Sequence, residues 1–241
     1  MPSWDVQTAL SRLPVALLVN IILGILAWRA GSVRTSGLEM GILLGTCIYV
    51  ALGWQGFLVL ITFFILGSVL TRMGYARKAH LGAAEEQAGA RGASHALANA
   101  GFATLFAIGA WATGQGWWAL AFVAAFATAS MDTAGSELGP LLGRRTISLK
   151  DLKPVPPGTE GAVSLEGTLA GLLAAAFVAL IGAFMLLMPM AAIGVVVLGA
   201  AAGNLYEGIL GARRLMSHAW LNATNTLVGA AVAVGLAFLL F

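Results

Sequence analysis

The chain has 241 residues, of which 59% are hydrophobic and only 10% are charged, and its mean hydropathy is +0.90. Soluble domains carry about 25% charged residues, so this chain has too few charges to cover a globular surface. The composition excludes a water-soluble globular protein, a disordered chain, a coiled coil and a nucleic-acid-binding domain. The net charge is +3, so the positions of the charges matter more than their sum.

Long apolar runs dominate the chain. A membrane-spanning helix needs about 20 mostly apolar residues, and the runs are too long and alternate too little for the strands of a β-barrel. The pattern predicts an all-α, polytopic transmembrane helix bundle, with residues 1–241 forming a single membrane domain. We predict eight spans, at Leu13–Trp28, Gly37–Gly53, Gln55–Thr71, Leu97–Thr113, Trp117–Met131, Thr168–Met188, Met190–Leu210 and Ala223–Phe241.

Two pairs of these spans are separated only by very short turns. The turns lie at Gly53–Gly56, between spans two and three, and at Met188–Met190, between spans six and seven. Either pair could instead be one broken helix or a re-entrant hairpin, so seven spans are the alternative.

Most of the charged residues lie in loops on one side of the predicted membrane spans. Twelve of the 13 Lys and Arg residues fall in alternate loops, and nine of the ten acidic residues share that side. Because positive loops favour the cytoplasm, we predict that these loops are cytoplasmic and that both termini are extracytoplasmic. A transporter needs polar groups near the middle of the membrane, so ionisable groups gathered at one interface favour an enzyme that uses a cytoplasmic reagent. The alanine-rich composition suggests a prokaryotic inner (plasma) membrane.

The end of the fifth span carries Asp132, Ser136 and Glu137. A continuous helix would place the two carboxylates about 140° apart, so a kink at Gly135 or an unwound end is needed to bring both to one Mg²⁺. Acidic side chains at the end of an apolar helix are costly unless they are paired or functional. The alternative is a solvated helix end followed by loop acids.

A cytoplasmic loop, 132–167, is predicted to carry a nucleotide and metal site. Loops longer than about 12–15 residues are often functional. Glycine turns and a helix N-terminus present N–H groups to anions, and Lys and Arg neutralise phosphates. The alternative is a positive-inside loop in which the glycines only form turns. The candidate phosphate-binding residues are Arg144, Arg145, Lys150, Lys153, Gly158, Thr159, Gly161, Ser164, Gly167 and Thr168.

One polar pair lies near the end of predicted span seven, and another lies at the start of span eight. Asn204 and Glu207, like Asn222 and Asn225, are three residues apart and therefore share a helix face. Glu207 lies in an apolar run and needs a partner, either an arginine of the following loop or a metal. The alternative for both pairs is hydrogen bonding between helices, which Asn supplies in membranes.

A polar stripe formed by Arg91, His95 and Asn99 leads into the fourth span, and His218 precedes the last one. The stripe directs one polar face into the bundle from the cytoplasmic side. A helix cap or a packing contact is the alternative. His218 is not expected to bind a transition metal, because no second His or Cys has suitable spacing.

Several motifs together carry a family resemblance. They are Asn99-Ala100-Gly101, Ala127-Thr128-Ala129 with Asp132-Thr133, Ser136–Gly139, Gly158–Thr168, Gly203-Asn204, Leu210–Ala212, and Asn222 with Thr226 and Gly229. The chain resembles the integral-membrane phytyl-phosphate kinases and their uncharacterised prokaryotic relatives, and is more distantly similar to the CTP-dependent polyprenol and phytol kinases. It departs from the pattern at His95, where an amide side chain is expected, and at Gly208, where Ser is commoner.

The resemblance implies transfer of the γ-phosphoryl group of a nucleoside triphosphate, foremost CTP, to an isoprenoid monophosphate. It implies Mg²⁺ as cofactor, bound by Asp132, Glu137 and Glu207. The implied catalytic residues are Asp132, Glu137 and Lys153. The implied orienting residues are Asn99, Ser136, Glu166, Asn204, His218, Asn222 and Asn225.

Three other functions fit the sequence less well. They are a kinase of the free isoprenoid alcohol, a CTP-dependent lipid cytidylyltransferase, and a proton-coupled transporter of a lipid or small solute. The expected partners are CTP or another nucleoside triphosphate, a prenyl-phosphate lipid and membrane lipid, without nucleic acid. A homo-oligomer is compatible with the sequence.

Overall fold

The computed structural model describes residues 6–84, 89–159, 161–213 and 215–241. Of the charged residues counted above, Glu85, Glu86, Glu160 and Arg214 lie outside these ranges. The elements in chain order are α1 (Val6–Arg29), α2 (Thr35–Arg72), α3 (Tyr75–His80), α4 (Ala93–Thr113), α5 (Gly116–Leu142), β1 (Thr146–Ser148), β2 (Ala162–Ser164), α6 (Leu165–Phe184), a 3₁₀ turn (Met190–Ala192), α7 (Ile193–Ala212) and α8 (His218–Leu240).

Helix α2 folds back on itself at Gly53. This residue has φ +68° and ψ −164°, a conformation open to glycine because it lacks a Cβ atom. Gly37 and Gly67 both lie against Arg91, although a straight helix would hold them about 45 Å apart. The two arms of α2, residues 35–52 and 54–72, are therefore antiparallel, and they correspond to predicted spans two and three.

The chain is an integral membrane protein built as a polytopic helix bundle. Within the described residues, six helices are long and apolar enough to cross a membrane. One of them is α2, which has 38 residues and folds into two arms. Helix α5, with 27 residues, occupies predicted span five. Eight spans with both termini outside remains the prediction for topology.

Helix α5 lies at the centre of the bundle. It packs against α2, α4, α6, α7 and α8. Every alanine of α5 is buried, and Phe122 and Phe126 are fully buried. Small side chains let neighbouring helices approach closely where lipid offers no hydrophobic driving force. Helix α1 instead packs on α2 at the edge of the bundle and, among the six span candidates in the described residues, is the least buried.

The segment after α5 differs from the sequence prediction in two respects. Helix α5 does not end near Met131 but continues through Gly135 to Leu142, so the first part of the predicted loop 132–167 is helical. The remainder contains an antiparallel hairpin in which Thr146 pairs with Ser164 and Ser148 with Ala162. The helical bundle is thus confirmed, with a short β-hairpin added at one end.

Candidate active site at the charged end of the bundle

The loops that carry the charges meet at one end of the bundle. Arg72 donates to Ser32 Oγ over 3.0 Å, which joins the end of α2 to the α1–α2 loop. Close contacts also join Gly158 to Ala83, and Gly161 to Ala212 at the end of α7. We call this end, from the α1–α2 loop to the start of α8, the charged end.

A buried ion pair ties α3 to α5 at this end. Lys78 is fully buried, and its Nζ forms a salt bridge with Glu137 Oε2. Lys78 also donates to the carbonyl oxygens of Leu70 (3.0 Å) and Thr71 (2.9 Å). The Glu137 carboxylate is therefore engaged by a cation of the protein, and this contact favours a positioning role over metal binding.

Asp132 lies about three turns before the end of α5 and is partly exposed. Its carbonyl oxygen accepts a hydrogen bond from Ser136 Oγ over 2.9 Å. Because α5 stays helical through Gly135, the kink that would bring Asp132 and Glu137 to one ion is not formed. Asp132 and Glu137 thus point to different sectors of the helix surface.

Helices α5 and α6 cross in close contact where the phosphate cradle was predicted. Ser164 is the N-cap of α6, and its Oγ accepts from the Gly167 N–H over 3.1 Å. A Cβ on Gly167 would lie 2.9 Å from Gly139 Cα. Ser164 and Gly167 therefore hold the start of α6 against α5. Glu166 Oε2 accepts from the Arg144 backbone N–H over 3.3 Å, which fastens the start of the hairpin.

The predicted phosphate-binding cations lie on the surface of the hairpin and its connections. Arg144, Arg145, Lys150 and Lys153 are exposed, and Lys153 approaches Asp151 at 4.0 Å. Gly158, Thr159 and Thr168 are exposed as well. Thr159 Oγ1 donates to the Pro156 carbonyl oxygen over 2.7 Å. The structure thus brings these cations to one solvent-facing surface of the charged end.

Gly158 and Gly161 adopt positive φ values of +85° and +69°. A Cβ on Gly161 would lie 2.2 Å from the Ala212 backbone nitrogen. Glycine at this position therefore allows the hairpin to pack on the end of α7. The turn conformation predicted for these glycines is present, and packing supplies a reason for it that is independent of any ligand.

Two amides of α8 hold the Glu207 carboxylate of α7. Asn225 Nδ2 donates to Glu207 Oε2. With the Asn222 amide nitrogen turned towards its acceptors, it donates to Glu207 Oε1 over 2.9 Å and to the His218 carbonyl oxygen over 3.2 Å. Glu207, Asn222 and Asn225 are all buried, and Asn225 Oδ1 has no hydrogen-bond partner among the described residues. Among the described residues, two amides thus contact the Glu207 carboxylate.

Asn204, one turn before Glu207, links α7 to α5. Its Nδ2 donates to the carbonyl oxygens of Thr128 and Ala200, each over 3.2 Å. A Cβ on Gly203 would lie 2.8 Å from Thr128 Cγ2, and one on Gly229 2.1 Å from Thr128 Oγ1. Hydrogen bonding between helices, one of the alternatives for the polar residues of α7, is therefore present.

The stripe that leads into α4 faces a cavity. Arg91, His95 and Asn99 all line a cavity of about 120 Å³ between α1, α2 and α4. Asn99 Nδ2 donates to the His95 carbonyl oxygen over 3.0 Å. His218, by contrast, is exposed at the start of α8.

Among the described residues, no group of three or more His, Cys, Asp or Glu side chains is arranged to hold a metal ion. Mg²⁺ in phosphoryl-transfer sites is usually held by one or two carboxylates, with phosphates and water completing its shell. Asp132 by itself, or Glu207 together with Asn225 Oδ1, would supply a donor set of that size.

The family follows from comparison with known proteins. The model of the integral membrane protein family DUF92 matches residues 18–228. The chain belongs to the DUF92 family. This membership confirms the family resemblance found in the motifs.

Relatives of this DUF92 protein occur in three distant groups of organisms. An uncharacterised membrane protein of Synechocystis sp. is 37% identical over 97% of this chain and 94% of its own length. The chloroplast protein VTE6 of Arabidopsis thaliana is 35% identical over 83% of this chain and 63% of its own length. An uncharacterised membrane protein of Methanocaldococcus jannaschii is 29% identical over 95% of this chain and 96% of its own length. No solved structure matches the chain.

The role of Lys78 could not be inferred from the sequence. It lies in the short helix α3 beside other basic residues, yet it is the partner of Glu137. Hydrophobic periodicity and helical spacing relate residues that are close in the sequence, so they do not identify a contact between residues 59 positions apart. Conversely, the position of Glu137 at the end of an apolar run indicated that this carboxylate needs a partner.

Proposed function

We propose that this DUF92 protein is an isoprenoid-phosphate kinase. It transfers the γ-phosphoryl group of a nucleoside triphosphate, foremost CTP, to an isoprenoid monophosphate and so forms the diphosphate. The acceptor is a membrane lipid, and the charged end faces the cytoplasm of a prokaryotic cell, where the nucleotide is available.

The observation that carries the proposal is the meeting of the shared motifs at the charged end. Gly167 of the loop motif contacts Gly139 of the α5 motif. Asn204 of α7 donates to the Thr128 carbonyl oxygen of α5, and Asn222 of α8, with its amide nitrogen turned towards its acceptors, donates to Glu207 of α7. Motifs from four helices thus form one packed unit beneath an exposed basic hairpin, an arrangement that suits a nucleotide held against a membrane surface.

The reaction needs little covalent chemistry from the protein. An oxygen of the acceptor monophosphate attacks the γ-phosphorus, a new P–O–P bond forms, and the bond to the β-phosphate oxygen breaks to release the nucleoside diphosphate. The acceptor is already an anionic nucleophile, so a general base is not required. Catalysis of this kind depends on positioning and on neutralising charge.

The exposed cations supply the charge neutralisation in this proposal. Arg144 and Arg145 extend from the start of the hairpin segment, and Lys150 and Lys153 from its first turn. Arginine binds phosphate through two parallel hydrogen bonds, and lysine acts as a point charge. We assign these four residues to the nucleotide phosphates, with Lys153 as the catalytic cation that the family resemblance implies.

Mg²⁺ bound with the nucleotide would offset the negative charge of the phosphates. Asp132, which is partly exposed, and Glu207, which α8 holds in place, are the carboxylates that we assign to it. The buried Asn225 Oδ1, beside Glu207, is a further oxygen donor. Glu137, engaged by Lys78, would position α5 instead.

An acceptor panel tests the proposal. Purified protein in lipid nanodiscs is incubated with Mg²⁺ and γ-labelled CTP or ATP, and with either farnesyl, geranylgeranyl or phytyl monophosphate or the matching alcohol. We expect label in the lipid fraction with the monophosphates and not with the alcohols. Label in the alcohols alone would replace the proposal by an alcohol kinase, and no transfer to any acceptor would overturn it.

Three carboxylate variants sharpen this assay. Asp132→Asn and Glu207→Gln should each lower kcat by roughly 100-fold or more, as removal of a transition-state contact does, and should raise the Mg²⁺ concentration needed for half-maximal rate. Glu39→Gln is the matched control, because Glu39 is an exposed carboxylate of α2 at the same end. An unchanged Mg²⁺ requirement in both site variants would contradict the metal assignment.

A further inference from the structure

The cavity between α1, α2 and α4 has a strongly asymmetric lining. Most of its wall is apolar, with Leu23 from α1 and Leu60, Phe63 and Phe64 from the second arm of α2. Arg91 lines the cavity from the charged end. Such a combination of an apolar wall with one guanidinium matches a molecule that has a hydrocarbon part and a phosphate.

The backbone holds Arg91 firmly in place at this position. Its N–H donates to the Ser32 carbonyl oxygen over 3.1 Å, and its carbonyl oxygen accepts from the Arg34 N–H over 3.0 Å. Its guanidinium donates to Thr71 Oγ1 over 3.3 Å. These contacts come from the α1–α2 loop and from the end of α2, so the cation is oriented before any ligand arrives.

One face of α2 leaves room inside the cavity. Gly37, Gly41 and Gly45 all line it and lie four residues apart on the same side of the helix. A Cβ on Gly37 or Gly45 would meet Arg91 or Asn20, whereas one on Gly41 would meet nothing within 4 Å. Gly41 therefore faces open space, and a larger side chain there would enter the cavity.

The size of the cavity limits what it can hold. An apolar cavity of about 150 Å³ accommodates one benzene molecule, so a cavity of about 120 Å³ holds roughly one five-carbon isoprenoid unit. Helix α1, which forms one wall, lies at the edge of the bundle against α2. A longer chain therefore has to continue past α1 into the bilayer.

We propose that this cavity binds the phosphate-proximal isoprenoid unit of an isoprenoid monophosphate, with the phosphate towards Arg91. The inference rests on the proposed kinase function for the identity of the lipid. It adds that the protein recognises the first branched unit and the phosphate, while the remainder of the chain lies in lipid. Activity should therefore vary little from farnesyl to phytyl monophosphate and fall when the first unit is unbranched.

Photolabelling tests the site without requiring turnover. The probe is a geranyl monophosphate analogue that carries a diazirine in its phosphate-proximal unit, used in nanodiscs without nucleotide. We expect label in peptides that cover residues 20–27, 37–45 and 60–64. Farnesyl monophosphate should compete, whereas farnesol, inorganic phosphate and phosphatidic acid should compete at least roughly tenfold less well. Label confined to α6, α7 and α8, or equal competition by phosphatidic acid, would overturn the inference.

A matched pair of glycine variants provides an independent test. Gly41→Phe should lower photolabelling and raise the KM for farnesyl monophosphate by roughly tenfold or more, with the KM for the nucleotide unchanged. Gly235→Phe is the control, because Gly235 lies in α8 and a Cβ there also meets nothing within 4 Å. Ala96→Leu, on the α4 wall, replaces Gly41→Phe if that variant does not fold. Wild-type labelling and kinetics in a folded cavity variant would contradict the inference.

The kinase function and the location of the lipid site can be overturned independently of each other. If phosphoryl transfer is observed but the probe labels other helices, only the location of the lipid is wrong. If the probe labels this cavity but no nucleoside triphosphate supports transfer, the cavity remains an isoprenoid-phosphate site and the kinase function is wrong.

Discussion

Lys78 and Glu137 form a salt bridge in which the lysine is 0% exposed and the glutamate 4% exposed. The pair joins α3, a short helix between the second arm of α2 and α4, to the central helix α5. Lys78 also binds the carbonyl oxygens at the end of α2. The position of α5 at the charged end therefore depends on one cation that reaches three separate acceptors.

Removing one partner of this pair should be strongly destabilising. Lys78→Met leaves a buried carboxylate without its cation, and such changes cost about 3–5 kcal/mol. The double variant Lys78→Met/Glu137→Leu should recover most of the loss, because it buries no charge. Thermal unfolding of the detergent-solubilised protein measures both, with Arg77→Met, at an exposed neighbouring position, as control. Additive losses in the double variant would show that the two residues are not coupled.

The α5–α6 crossing provides a glycine pair for comparison. A Cβ on Gly167 would lie 2.9 Å from Gly139 Cα, whereas one on Gly135 would have only an ordinary contact, 3.6 Å from the Gly167 carbonyl oxygen. Gly167→Ala should therefore lower the free energy of unfolding by about 1–3 kcal/mol. Gly135→Ala should be neutral or slightly stabilising, since alanine favours helix. Equal effects of the two substitutions in a denaturant titration would contradict this packing account.

The capping role of Ser164 is separable from a phosphate-binding role. Ser164→Ala removes the acceptor of the Gly167 N–H and should cost about 1 kcal/mol of stability. Ser217 is the N-cap of α8 but forms no side-chain capping hydrogen bond, so Ser217→Ala should cost much less. If Ser164→Ala raised the KM for the nucleotide without changing stability, the hydroxyl would serve the ligand and not the helix.

The exposed cations should affect nucleotide binding and leave stability almost unchanged. Replacing Arg144, Arg145, Lys150 or Lys153 by Gln should raise the KM for the nucleotide by about tenfold each, the equivalent of one charge-assisted hydrogen bond. The effect should shrink as salt is added, because these charges are screened. Arg77→Gln, an exposed cation of α3 at the same end, is the control. The KM for the nucleotide is measured at low and at high salt. Equal KM values for the four hairpin variants and the Arg77→Gln control would contradict the assignment.

Much of the bundle could be predicted from the sequence, because the bilayer imposes long apolar helices with short or charged connections. The turn at Gly53 illustrates this. A glycine between two apolar runs predicted a break, and the structure has a fold-back there with φ +68°. The gathering of charged loops at one end followed from the same alternation.

Other features depend on contacts that a single sequence does not reveal. Helix α5 passes its predicted end, and Glu137 in this extension is paired with Lys78 of α3. Apolar composition alone does not predict such a partner. The strands Thr146–Ser148 and Ala162–Ser164 are three residues long, too short to show an alternating pattern. The amides that hold Glu207 could be recognised as polar neighbours, but the pairing of α7 with α8 decides which residues they contact.

Product analysis with CTP labelled in the γ-phosphate and phytyl monophosphate as acceptor tests the kinase function most directly. Phosphoryl transfer predicts phytyl diphosphate with the label in its terminal phosphate, formed in equal amount with CDP. Release of labelled pyrophosphate together with a cytidine-containing lipid would contradict the account, because it would mean that the bond to the α-phosphorus is the one that breaks.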